Sequence, residues 1–149
     1  MFTMTIMENN DLSTAEWLDK AEAYCARAEH CAADVRRKLL QWGAPADLYD
    51  EIVKILYSRD FLNDTRFCEA YVHDKVEYQA WGRLKIQAGL RALQLPEQAI
   101  QSALNNIDET AYNRHLPSLV RQRRNDSTDK CLRFLLQRGF TYDEIRRVL

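Results

Sequence analysis

Clusters of arginine and lysine are the parts of this sequence best suited to chemistry, and that chemistry is the binding of anions or acidic proteins. The densest cluster is the RQRR stretch at residues 121–124, and a second run comprises Arg36, Arg37 and Lys38. Solvated helix surfaces carry such charges without a partner, and cations also stabilise the C-terminal end of a helix. Recurrence of basic residues at corresponding places favours partner binding. The candidate partner-binding residues are Arg36, Arg37, Lys38, Arg83, Lys85, Arg91, Arg121, Arg123, Arg124, Lys130, Arg133 and Arg138.

Catalytic and metal-binding patterns are absent from the sequence. The histidines His30, His73 and His115 stand apart from any ligand set or nucleophile, and there is no glycine-rich phosphate loop. Four cysteines occur without a CxxC pair, which favours small core side chains in a reduced cytosol over a zinc site. We therefore predict a cytoplasmic protein that is not an enzyme and needs no cofactor or metal.

The length and composition are typical of a single helical domain. The chain has 149 residues, 46% hydrophobic and 29% charged, and its 4 glycines and 3 prolines are few for a β protein. Its apolar runs are shorter than the roughly 18 residues that a membrane span requires. The first residues lack the basic region of a signal peptide. We expect residues 1–13 to form a flexible tail and predict no membrane association.

The charge is distributed unevenly along the chain. The overall net charge of −1 argues against general nucleic-acid binding. Residues 1–62 carry 7 basic and 11 acidic side chains (net −4), and residues 63–110 carry 5 and 7 (net −2). Residues 111–149 carry 9 and 4 (net +5). An anionic partner should therefore meet the C-terminal third first.

An apolar pattern recurs three times with a period of about 45–50 residues, which indicates a helical repeat array. Counted from the reference residues Pro45, Pro96 and Thr141, the positions ten, six and one residues upstream are apolar in every copy. Downstream, the positions at +4 and +8 are apolar in the second and third copies, whereas the first copy is shifted by a three-residue insertion. The predicted fold is all-α, with three tandem three-helix repeats that have helix-turn-helix-like ends, elongated and curved. The predicted repeats are residues 14–62, 63–108 and 109–149.

Each repeat also has a longer helix upstream, predicted at residues 15–27, 64–76 and 111–124. Pro117 is expected to kink or shorten the third of these helices. Capping boxes are predicted at Ser13 with Glu16 and at Thr141 with Glu144. Most aromatic side chains are predicted to be core, and Trp81 is either core or an exposed interface anchor.

Four stretches at these positions resemble the RecX family of bacterial modulators of the RecA recombinase. They are AEHCAADVRRKLLQWG at residues 28–43, FLNDTRFCEAYVHDK at 61–75, WGRLKIQAGLRALQL at 81–95 and LLQRGFTYDEI at 135–145. Their order and spacing match the family over about residues 17–149. The resemblance implies three tandem three-helix repeats and a non-enzymatic protein that inserts along the groove of the RecA–DNA filament. It would there restrain ATP hydrolysis, filament growth and strand exchange. From the near-neutral charge we expect weak or indirect nucleic-acid contact, and we expect a monomer.

Two departures from the family pattern carry expectations of their own. Cys31 stands where a serine is common, which should weaken the cap of the following helix. The second repeat reads RALQLP without a turn glycine, so this joint is expected to be tighter or 3₁₀-like. Two other functions remain possible besides the one that the family resemblance implies. A helix-turn-helix protein would read DNA, but the candidate recognition helices begin with acidic residues, and a helical adaptor is the other alternative.

Overall fold

Nine α-helices build the chain in the computed structural model, which describes residues 12–149, and no strand occurs in that range. The helices are α1 (Thr14–Arg27), α2 (Ala32–Trp42), α3 (Tyr49–Ser58), α4 (Asp64–Glu77), α5 (Arg83–Ala92), α6 (Glu97–Asn105), α7 (Glu109–Gln122), α8 (Thr128–Gln137) and α9 (Tyr142–Arg146). The all-α prediction is confirmed. Three helices lie in each predicted repeat. The division of the chain into three separate repeat domains stays a prediction. The predicted tail falls mainly on residues 1–11, which lie outside the described residues.

Side-chain caps determine where several helices begin. The Ser13 hydroxyl accepts a hydrogen bond from the Glu16 N–H at 3.3 Å and starts α1, which is one half of the capping box predicted there. At α9, the Thr141 hydroxyl accepts from the Glu144 N–H at 3.1 Å. The Glu144 carboxylate accepts in return from the Thr141 N–H at 2.8 Å, so the predicted capping box is confirmed.

The start of α2 has a stronger cap than the sequence suggested. The carboxylate of Asp34 accepts a hydrogen bond from the backbone N–H of Cys31 at 3.3 Å. Asp34 therefore satisfies the N–H of Cys31, the half of a capping box that does not depend on the side chain at position 31.

The same turn joins the second and third helices of every predicted repeat. One residue adopts a left-handed conformation, and the N–H of the next residue donates to the carbonyl five positions back, at 2.9, 3.2 and 3.2 Å. The left-handed residues are Gly43, Gln94 and Gly139, with φ of 84°, 63° and 97°. Gln94 thus takes the place of the missing glycine, and this joint matches the other two instead of being tighter.

The chain divides into two compact units, and the division lies within α4, between Phe67 and Cys68. We call the residues up to Phe67 unit 1 and Cys68–Leu149 unit 2. In unit 1, helices α1, α2 and α3 pack around Trp17, Leu39 and Ile52, which are at most 1% exposed. The three-residue insertion is the 3₁₀ turn Ala46–Leu48, which precedes α3 and preserves the apolar spacing downstream.

Unit 2 buries the corresponding positions of the other two repeats. Leu90, Ile100, Leu135 and Ile145 are 0% exposed, as the repeat pattern predicts. Leu149 differs, because it lies beyond the end of α9 and is 51% exposed. Helix α7 continues through Pro117 to Gln122, so the helix does not end at the proline.

Candidate partner-binding surfaces

In unit 1 the predicted basic run, here called the α2 run, comprises Arg36, Arg37 and Lys38. Arg36 pairs with Asp50 at 2.7 Å, and Arg37 pairs with Asp34 at 2.9 Å. The Arg36 and Asp50 side chains are 43% and 89% exposed, so opening this pair costs little. Lys38 instead places its ammonium over the rings of two aromatic residues of α1 and α2. The two arginines are thus partly neutralised by neighbouring carboxylates, while the lysine is not.

In unit 2, Arg83 is a structural tie between helices rather than an outward-facing cation. Its guanidinium donates to Glu144 at 3.1 Å and to Glu109, and it lies 4.3 Å from the centre of the Tyr112 ring. Its backbone N–H donates to the Tyr112 hydroxyl at 3.1 Å. These contacts connect α5 with α7 and α9. Burial raises the pKa of Tyr112, so its hydroxyl stays protonated beside Glu144.

Arg138 likewise uses its charge inside unit 2. The guanidinium donates to the carbonyl of Ala80 at 3.2 and 3.3 Å and to the carbonyl of Gln79. The carbonyl of Arg138 accepts from the N–H of Gly82 at 2.7 Å. The loop before α5 and the turn after α8 are therefore held together, and Arg138, like Arg83, directs its guanidinium to groups within unit 2.

Lys85 and Arg91 complete the predicted residues on α5. The Lys85 ammonium lies 4.2 Å from the centre of the Trp81 ring, and Lys75 approaches the same ring at 4.7 Å. Trp81 is half-buried, so it is intermediate between the core residue and the exposed interface anchor that the sequence allowed. Arg91 forms an exposed pair with Glu97, and hydrogen bonds from Arg91 lower the pKa of Glu97 to about 2.

The end of α7 carries the most available positive charge of unit 2. We call Arg121, Arg123 and Arg124 the α7 cluster, and all three are exposed. Arg121 and Arg124 form no ion pair within residues 12–149, whereas Arg123 lies 3.7 Å from Asp126 and packs over the Phe134 ring. The contact with Phe134 brings the α7 cluster against α8. Lys130 and Arg133 of α8 are also exposed and have no carboxylate partner in the described part of the chain.

Among the described residues there is neither a metal-binding cluster nor an exposed cysteine. Across residues 12–149 no group of three or more His, Cys, Asp or Glu side chains is arranged to hold a metal. All four cysteines are buried and free of disulfides in that range, and burial raises the pKa of Cys25 to about 11. Among the same residues, no helix has the length and hydropathy of a membrane span.

Comparison with known proteins places these surfaces in a family context. Residues 63–104 match the family model described as RecX, second three-helix domain. A protein named Regulatory protein RecX from Pseudomonas savastanoi pv. phaseolicola is 30% identical over 136 residues, which cover 83% of each chain. One of the same name from Geobacillus kaustophilus is 29% identical over 136 residues, covering 85% of this chain but 49% of that relative. The chain thus spans about half the length of some relatives that it matches.

Solved structures agree with the fold. A crystal structure of regulatory protein RecX superposes with a TM-score of 0.75 at 21% identity, covering 91% of this chain and 72% of that one. The crystal structure of RecX from Lactobacillus salivarius superposes with a TM-score of 0.73 at 22% identity, covering 91% and 93%. At these identities the superpositions establish the helical fold alone.

Proposed function

The chain belongs to the RecX family, and from this premise we propose that it regulates a RecA-type recombinase by binding the filament that the recombinase forms on DNA. The proposal rests mainly on the α7 cluster, an exposed group of cations in a chain whose net charge is −1. A filament presents DNA phosphates together with acidic protein surface, and both attract such a cluster. Naked DNA offers only the phosphates.

Inhibition is the direction of regulation that we propose. A protein that binds along an assembled filament holds neighbouring recombinase subunits in one arrangement, and it stabilises that arrangement at the expense of the others. ATP hydrolysis, filament growth and strand exchange each require subunits to change arrangement or to be added. Bound regulator should therefore slow all three activities, in recombination and in DNA repair.

Sequence-specific DNA reading is disfavoured by the charge at the helix starts. The third helix of each predicted repeat carries acidic residues in its first turn: Asp50 and Glu51 in α3, Glu97 in α6, and Asp143 and Glu144 in α9. A recognition helix places its N-terminal side chains against base edges between two phosphate backbones. Carboxylates at those positions repel phosphate, so the filament is the partner that the charge distribution favours.

The recombinase ATPase on single-stranded DNA tests this function. Adding the chain to preformed filaments should lower the ATPase rate in a saturable way, while the variant R121A/R123A/R124A should require a higher concentration for the same effect. A matched control changes Arg114, Arg146 and Arg147, three exposed arginines outside the α7 cluster, to alanine. An ATPase rate that is unchanged at saturating wild-type chain would contradict the proposal.

We also propose that residues 14–62, 63–108 and 109–149 are the three repeats and that the chain acts as a monomer. The left-handed turn that recurs at Gly43, Gln94 and Gly139, once within each segment, supports three copies of one unit. Sedimentation velocity over a range of protein concentrations measures the mass directly. A species of twice the chain mass of 17.5 kDa at micromolar concentration would contradict the monomer.

A further inference from the structure

A recess of about 480 Å³ in unit 1 lies between α1 and α2, and no residue that lines it is acidic. Apart from Ala23, its lining side chains are cationic or aromatic. Those that matter here are Lys20, Tyr24, Arg27, His30, Lys38 and Trp42. The recess is open to solvent and its volume lies in the range of small-molecule sites. Only one of these residues, Lys38, belongs to the predicted basic runs.

Within residues 12–149, Lys20, Arg27 and Lys38 of the recess have no acidic partner, whereas His30 contacts Asp34 at 3.3 Å. The ammonium groups of Lys20 and Lys38 lie 4.8 and 5.9 Å from the centre of the same Trp42 ring. Neither lysine, nor Arg27, forms an ion pair within residues 12–149. Like charges gathered at one ring repel each other, and an anion between them would relieve that repulsion.

This concentration of positive charge contrasts with its surroundings. Residues 1–62 carry a net charge of −4, and the described carboxylates Glu22, Asp34 and Asp50 pair with Arg59, Arg37 and Arg36, not with the lysines of the recess. The nearby Asp34 side chain accepts from the His30 ring at 3.3 Å, from Arg37 at 2.9 Å and from the Cys31 N–H at 3.3 Å. Its oxygens are therefore already occupied, and the three cations remain available to a ligand.

The aromatic rings of the recess provide flat surface beside these cations. The Tyr24 and His30 rings stack with their centres 3.8 Å apart and their planes 16° apart. The Trp42 ring meets Tyr24 edge-on, with centres 6.1 Å apart. All three side chains are half-buried, so their positions are fixed by packing while part of each remains accessible.

We infer that this recess binds a nucleotide, with the phosphate at Lys20, Arg27 and Lys38 and the base on the aromatic surface. Basic groups that hold phosphate beside rings that stack on a base are how proteins bind unpaired nucleotides. The ligand is either a free nucleotide or an unpaired nucleotide within a strand, since both present a phosphate and a flat base. An acidic peptide would engage the cations but would leave the rings unused.

Unit 2 contains a second pair of lysines that lie over one tryptophan ring. There Lys75 and Lys85 both lie over Trp81, whose ring meets that of Tyr71 edge-on at 6.4 Å. However, Lys75 also lies 3.5 Å from the carboxylate of Asp74, which reduces the local positive charge. The recess in unit 1 is therefore the stronger anion site of the two.

The test measures nucleotide binding by the full chain without any recombinase, so that its outcome is independent of the proposed regulatory function. The probes are ATP, a fluorescent eight-residue thymidine oligomer, an abasic oligomer of the same length, and an eight-residue glutamate peptide. We expect the thymidine oligomer, ATP or both to bind, and to bind at least fivefold more tightly than the abasic oligomer and the peptide. ATP binding identifies a free nucleotide as the ligand, and binding of the oligomer alone identifies a strand.

Variants connect that binding to the recess. K20Q/K38Q should weaken binding at least tenfold, whereas K54Q, which removes an exposed lysine elsewhere in unit 1, should change it less than twofold. W42L should weaken base-containing probes while leaving the abasic oligomer unaffected. If W42L fails to fold, R27Q tests the phosphate contacts instead, with an expected loss of at least threefold for every phosphate-bearing probe, the abasic oligomer included. Equal affinity for abasic and base-containing oligomers, peptide binding as tight as the nucleotide probes, or unchanged binding by K20Q/K38Q would overturn the inference.

Discussion

Replacing Gly82 with alanine should destabilise unit 2 far more than an ordinary glycine substitution does. Gly82 lies where the start of α5 meets the turn after α8. A Cβ atom there would lie 2.2 Å from the carbonyl carbon of Gly139 and 2.2 Å from the backbone nitrogen of Phe140. Because these neighbours are backbone atoms, no side-chain rotation can make room, and the two segments must separate.

The cost follows from the hydrogen bonds that hold this joint. The N–H of Gly82 donates to the Arg138 carbonyl at 2.7 Å, and the N–H of Leu84 donates to the Gly139 carbonyl at 3.0 Å. Each buried bond broken without a new partner costs about 1–3 kcal/mol. The free energy of unfolding should therefore fall by about 2–6 kcal/mol.

Gly43 provides the matched control for this measurement. Its φ is 84° and a Cβ atom added there would have no other atom within 4 Å, so G43A incurs only the strain of a left-handed alanine, about 1–2 kcal/mol. Urea denaturation gives both losses, and hydrogen exchange should show faster exchange at residue 82 and at Leu84 in G82A alone. A loss in G82A no larger than that in G43A, with both amides still protected, would refute this account of the joint.

Three further predictions concern the core, a surface carboxylate and the basic clusters. L135A should cost about 2–5 kcal/mol in urea denaturation because Leu135 is 0% exposed, whereas L136A, at a 42% exposed position, should cost under about 0.5 kcal/mol; equal losses would show that the repeat register is wrong. Hydrogen bonds from Arg91 and, to a smaller extent, from Gln101 lower the pKa of Glu97 from 4.5 to about 2, so their stabilisation is present above pH 4.5 and is lost as the pH falls towards 2; in R91Q, NMR titration should show the Glu97 midpoint raised from about 2 towards 4.5, and a midpoint still near 2 would contradict Arg91 as the main cause. Alanine substitution of the whole α7 cluster should weaken filament binding and reduce its salt dependence, and both effects should be larger than those of alanine substitution of the α2 run. Larger effects from the α2 run would show that the C-terminal third is not the main electrostatic contact.

The repeat pattern could be predicted because it depends on burial, which leaves a periodic trace in the sequence. The residues six positions before each reference point, Leu39, Leu90 and Leu135, are all 0% exposed. The left-handed Gln94 left no such trace, because glutamine has no special preference for positive φ and its conformation is imposed by the turn around it.

The roles of individual cations were harder to predict, because they depend on residues distant in the sequence. Arg83 reaches Glu144, 61 positions away, and Arg138 reaches Ala80, 58 positions away. A periodic pattern can place a side chain on a helix face but cannot show which partner meets it there. Lys20 was missed for the same reason, since only the packing of α1 on α2 brings it over Trp42.

Co-sedimentation with preformed recombinase filaments on single-stranded DNA, alongside the same DNA without recombinase, tests the central claim most directly. Because the sequence has a net charge of −1 and its net positive charge lies in residues 111–149, we predict that the chain pellets with the filament at concentrations where it leaves naked DNA largely unbound. Any contact through the unit 1 recess should add only weak affinity for the naked strand. Equal affinity for filament and naked DNA would contradict the claim that the assembled filament is the target.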